Sequence, residues 1–110
     1  MGIFERFKRK DMNSGVEQWR STPGAVLLDV RNADEYEAGH VPGSINVPVG
    51  EIGNVTSRIP DKATPVFSYC LAGTRSERAV AEMTRMGYQN VQNIGGIRDY
   101  SGEIVSGKEG

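Results

Sequence analysis

The 110-residue chain is short of the groups on which many active sites are built: it has one cysteine, Cys70, one histidine, His40, and one tryptophan, Trp19. A single thiol excludes an intramolecular disulfide, a Cys-x-x-Cys redox pair and a cysteine-rich zinc site. With one imidazole, a multi-histidine metal site is out of reach, and a serine–histidine–aspartate hydrolase would need an unusual arrangement. No metal and no cofactor is therefore expected. Charge of one sign is also lacking: 13 Lys and Arg against 14 Asp and Glu leave a net charge of −1. A nucleic-acid partner would call for a basic chain or a basic face, so none is expected. Long apolar runs are absent, with none of signal-peptide length at the N-terminus and none approaching a membrane span. The expected setting is the cytoplasm, away from membranes, where a lone thiol stays reduced.

What is present fits one soluble globular domain. The length accommodates a single unit, 1–110, with a core over about 12–104 and flexible ends at 1–10 and 105–110. The Lys8-Arg9-Lys10 cluster belongs to the first of those ends. Short apolar strands alternate with helical stretches. Ala25–Val30 follows Pro23-Gly24 and reads as a buried strand, and Ser44–Val47 as a second, brief one. Pro65–Tyr69 forms a third that ends at Cys70, and Asn90–Ile94 a fourth. Ser76–Met86 carries Ala79, Val80, Met83 and Met86 on one helical face, and Gly87 stops it. A shorter helix over Val16–Arg20 sets Trp19 against the core. Alternation of this kind implies βαβ units and a mostly parallel α/β sheet covered on both faces. Sites in such sheets lie beyond the carboxyl ends of the strands.

Cys70 falls at that end, on a loop that opens a helix: Cys70-Leu71-Ala72-Gly73-Thr74-Arg75. A strand-to-helix turn can aim successive amides inward, and the helix behind adds unpaired N–H groups and a positive dipole end. Gly73 allows the left-handed backbone that a tight concave loop needs. A sulfur at the centre would be favoured as an anion, with Arg75 as a permanent charge nearby. The chemistry indicated is nucleophilic and covalent. The residues themselves do not distinguish a phosphate cradle from a sulfur cradle. A buried filler role for Cys70 and a decorative one for Arg75 are the plainer alternative.

Leu27-Leu28-Asp29-Val30-Arg31, Glu35-Tyr36 and Gly39-His40-Val41-Pro42-Gly43 resemble the opening signature of rhodanese domains. Cys70–Arg75 is similar to their C-x-x-G-x-R loop, and Gly87-Tyr88, Val91 and Gly95-Gly96 to their closing segment. The resemblance, to single-domain rhodaneses of the small phage-shock type, spans about Val26 to Tyr100. It implies a central five-stranded parallel sheet flanked by helices on both faces. It also implies a sulfurtransferase: a sulfane sulfur would pass from a donor such as thiosulfate to a Cys70 persulfide, and then to cyanide, a thiol or a protein acceptor. Cys70 would be the catalytic nucleophile, with the amides of Leu71, Ala72, Gly73, Thr74 and Arg75 binding the substrate sulfur. Phosphatases and arsenate reductases of the same superfamily use a loop one residue longer, which argues against that activity here. A noncatalytic rhodanese-like binding module would typically lack the cysteine. Thiosulfate-preferring members often carry basic residues after the cysteine, where Leu71 and Ala72 are neutral, leaving Arg75, Arg78 or Arg98 to attract a dianion. Asp29 and Arg31 are candidates for the pocket edge, or else an ion pair that pins adjacent loops. His40 reads as a hydrogen-bonding residue of its turn. Oligomeric state is left open.

Overall fold

The computed structural model describes residues 11–110; residues 1–10, including Lys8-Arg9-Lys10 and the expected flexible N-terminal end, lie outside them. In chain order the elements are α1 (Met12–Arg20), β1 (Val26–Asp29), α2 (Ala33–Ala38), β2 (Ile45–Asn46), a 3-10 segment (Val49–Ser57), β3 (Val66–Cys70), α3 (Thr74–Arg85), β4 (Val91–Gly96) and a short 3-10 turn (Ile97–Asp99). The strands run parallel in the order β2-β1-β3-β4.

The sheet has four strands among the described residues, not the five that the family resemblance implied. The four are those read from the residues themselves. Beyond the short 3-10 turn, Ile104 and Val105 are the only aliphatic residues, and they form no strand. The sole pairing there is an isolated antiparallel bridge between Val105 and His40. Residues 105–110, expected as a flexible end, make further backbone bonds: Gly107 N–H to the Glu37 carbonyl at 2.8 Å and Gly43 N–H to that of Gly110 at 3.4 Å.

Period-two alternation along β1 and β3 divides the core in two. Leu28, Val66 and Cys70 face a cluster with Ala79 and Met83 of α3 and Ile52 and Val55 of the 3-10 segment. Leu27, Phe67 and Tyr69 face the other side, against Met12 and Val16 of α1 and Ile94 of β4. The amphipathic stripe read in α3 thus finds its partner, though the helix begins two residues before Ser76. Helix α1 starts four residues before Val16, capped by Asp11, whose carboxylate accepts from the Asn13 amide at 3.1 Å. Trp19 is half-buried and donates its indole N–H to the Ala25 carbonyl at 3.2 Å. Helix α2 was not anticipated; Asn32 and Glu35 close a capping box at its start.

Because all four strands are parallel, their carboxyl ends share one edge: Asp29, Asn46, Cys70 and Gly96 end there. Described helices are all too short and polar to cross a membrane.

Candidate active site

Cys70 is the last residue of β3 and only 1% exposed. Gly73, with φ of +103°, reverses the chain three residues later and caps α3. That conformation is cheap for glycine alone. The first intrahelical bond runs from Glu77 N–H to the Gly73 carbonyl at 3.0 Å, so the amides of Thr74, Arg75 and Ser76 have no partner within the helix. Two amides reach the sulfur: Gly73 N–H donates to Sγ at 3.0 Å and Ser76 N–H at 3.3 Å. Ser76 was read from sequence only as a helix start. Starting the helix at Thr74 turns its amide into a first-turn donor aimed at the sulfur. Its buried hydroxyl bonds that of Ser68 on β3 at 2.8 Å, tying helix to strand directly beneath the site.

The loop is braced on its outer side by β4. Asn93 Nδ2 donates to the Gly73 carbonyl at 3.0 Å, and Gly95 N–H donates to Asn93 Oδ1 at 2.9 Å. A register break opposite Ser68 and Tyr69 leaves Ile94 unpaired and lets the strand bend toward the loop. Gly96 runs so close that a Cβ there would stand 2.1 Å from the Leu71 carbonyl oxygen. Its requirement for glycine is steric, since its backbone is ordinary extended chain. The Arg98 amide closes the other side, donating to the Leu71 carbonyl at 3.2 Å. Leu71 itself turns outward and is 45% exposed, one of two large apolar side chains on the described surface.

Arg75 does not stand alone as a free cation. Its guanidinium forks onto Glu35 of α2, with Nη1–Oε1 at 2.7 Å and Nη2–Oε2 at 3.1 Å. The hydrogen bonds from Arg75 hold the Glu35 carboxyl down at about 2, helped by the Asn32 amide. Glu35 appeared in the sequence only as part of a family signature. Its spacing to Asn32 signals the capping box, but nothing local reveals a partner 40 residues away.

Asp29 and Arg31 form a buried ion pair, joined at 2.7 Å between Oδ2 and Nη2. Arg31 also donates to the Gly39 carbonyl at 2.7 Å, and Asn46 Nδ2 bridges the carbonyls of Asp29 and Arg31. The pair fastens the β1–α2 turn to the chain beyond α2. Arg31 lies 5.8 Å above the ring of Tyr69, whose hydroxyl burial pushes up out of the titrating range. His40 is fully buried, stacked 3.7 Å from Tyr36, with Nδ1 2.7 Å from the Tyr36 carbonyl. Neither the pair nor the imidazole is hydrogen-bonded to the sulfur or its loop. Arg98 sits beside Asp99 at 3.8 Å, and Arg78 lies one turn along α3 from Arg75. No cluster of described His, Cys, Asp and Glu has the arrangement of a metal site.

Comparison with known proteins points one way. The family model described as a rhodanese-like domain matches residues 12–103. A thiosulfate sulfurtransferase, PspE of Escherichia coli, is 38% identical over 81 residues, 73% of this chain and 78% of that protein. The putative sulfur carrier protein YrkF of Bacillus subtilis is 35% identical, over 70% of this chain but only 42% of its own length. Among solved structures, a rhodanese with anions from E. coli superposes with a TM-score of 0.70 at 37% identity, covering 76% of this chain and 99% of that one. With the parallel sheet, the Cys70 loop and its left-handed glycine in family order, the chain belongs to the rhodanese-like domain family.

Proposed function

We propose that the protein is a cytoplasmic sulfurtransferase that carries a sulfane sulfur on Cys70. The observation that carries this reading is the pair of amides, Gly73 and Ser76, trained on a thiol at the carboxyl end of β3. Fixed donors of this kind favour a sulfur anion without reorganising when the charge moves. In the first step the Cys70 thiolate attacks the outer sulfur of thiosulfate. A Cys–S bond to sulfur forms, the donor's S–S bond breaks, and sulfite leaves with the electron pair. The terminal persulfide sulfur, about 2 Å beyond Sγ, then lies among the amides of Leu71, Ala72, Gly73, Thr74 and Arg75. In the second step cyanide or a thiolate takes that sulfur, and the electron pair returns to Cys70 as thiolate. Asp29 and Arg31 act by holding the strand ends in place.

Turnover with cyanide as acceptor and thiosulfate, mercaptopyruvate or a small persulfide as donor tests the reading. At least one donor should support thiocyanate formation by the wild type and none by Cys70→Ser. Equal turnover by the two proteins, or none with any donor, contradicts it. With neutral Leu71 and Ala72 at the loop tip, the persulfide donor should exceed thiosulfate.

A further inference from the structure

A second concavity lies between α3 and the 3-10 segment Val49–Ser57, beginning at Arg78, one helical turn from Arg75 of the loop. It is a groove of about 390 Å³ whose α3 wall carries Arg78, Glu82 and Arg85. With Arg75 these residues stand at spacings of three, four and three, a single helical stripe leading away from Cys70. The two end arginines are satisfied within the chain, Arg75 by Glu35 and Arg85 by Glu82. Arg78, exposed between them, forms no ion pair with any described carboxylate. On the opposite wall, Val49 and Ile52 share the lining with two glycines that add no side chain. Gly50 and Gly53 recur one 3-10 turn apart, and a Cβ at either would meet nothing within 4 Å. Neither has a positive φ, so neither turn geometry nor crowding requires glycine there. What the two glycines do is keep the groove open along exposed backbone.

Resting on the persulfide reading above, we propose that this groove seats an acidic, extended segment of a protein that accepts sulfur from Cys70. The unpaired Arg78 supplies the charge complementarity, and bare backbone at Gly50 and Gly53 gives a polypeptide hydrogen-bonding room. From Arg75 to Arg85 the stripe rises about 15 Å, the reach of about five extended residues. A nucleic acid would want several phosphate contacts, whereas this wall offers one unpaired cation and carries Glu82 as well. The acceptor thiolate attacks the outer sulfur of the Cys70 persulfide, forming a new S–S bond. The old S–S bond breaks and Cys70 leaves as thiolate, so no outside oxidant or reductant is needed.

The test uses three synthetic acceptors, Cys-Gly-Asp-Gly-Asp-Gly and its Asn and Lys counterparts, mixed with persulfide-loaded protein. The acidic peptide should discharge the persulfide roughly tenfold faster than the Lys peptide at low salt. Arg78→Glu should reverse that order. Gly53→Leu, filling the groove without touching the loop, should abolish the acidic advantage and leave discharge by cyanide unchanged. In Cys70→Ser, the acidic peptide should move the NMR amide signals of Gly50, Gly53 and Arg78. Equal rates for the three peptides, an advantage that survives both substitutions, or displacement of the bound peptide by single-stranded oligouridine overturns the proposal. Failure to form any persulfide sinks the sulfurtransferase reading instead, while peptide binding to Cys70→Ser still judges the groove.

Discussion

At the scale of single residues, the site depends on groups that hold Cys70 and Arg75 more than on added reactive ones. Glu35 is the clearest case, because one carboxylate completes the α2 capping box and grips the loop arginine. Glu35→Gln keeps a residue that can cap and loses the charge on Arg75. Because both side chains are about one-third exposed, the cost should be modest, about 1 kcal/mol, read as a shift in urea midpoint. Its pH dependence has a definite sign. The carboxyl is lowered in the fold from 4.5 to about 2, so its contribution is complete above about pH 4.5 and fades as pH falls toward 2. Wild type and Glu35→Gln should therefore differ in stability at pH 7 and converge near pH 2. A gap that stays constant across that range rules out the charge pair as its source. The Asp29–Arg31 pair is buried, and its disruption should be more severe. Arg31→Met strands an unpaired carboxylate in the interior, at a cost of about 3–5 kcal/mol, which chemical denaturation would register directly.

At the scale of elements, the β3–loop–α3 unit behaves as one device. Gly73 turns the chain, α3 supplies the Ser76 amide, and β4 presses Gly96 against the Leu71 carbonyl. Gly73→Ala finds room for its methyl group, 3.7 Å from the nearest atom, but at φ of +103°. It should cost about 1–3 kcal/mol and slow sulfur transfer by moving the Gly73 amide. Gly96→Ala meets backbone and should displace the whole loop, cutting turnover more than Gly73→Ala does; the reverse order would contradict the bracing role of β4. Much of this unit was legible in the residues. A buried run ending at Cys70, a glycine three residues on and an apolar stripe from Ala79 to Met83 mark strand, turn and helix by local rules. Three features were not. Helix α2 is only six residues, below the length at which periodicity speaks. The Glu35–Arg75 pair and the Gly96–Leu71 contact join segments that only the parallel sheet brings together. The fifth strand was implied by kinship alone and matched no run read from the residues; the described residues form four.

At the scale of the whole molecule, the parallel sheet gathers the ends of its four described strands at a single edge and sets one thiol among backbone donors there. The chain has no second cysteine to resolve a persulfide as a disulfide, so on the proposed reading sulfur loaded on Cys70 leaves to an external acceptor. The persulfide should consequently persist once excess donor is removed. Intact-mass spectrometry after incubation with thiosulfate or a small persulfide tests this most directly. The wild type should gain the mass of one sulfur atom, keep it through desalting and lose it on addition of cyanide, while Cys70→Ser gains nothing. No added sulfur with either donor, or the same gain in Cys70→Ser, contradicts the account.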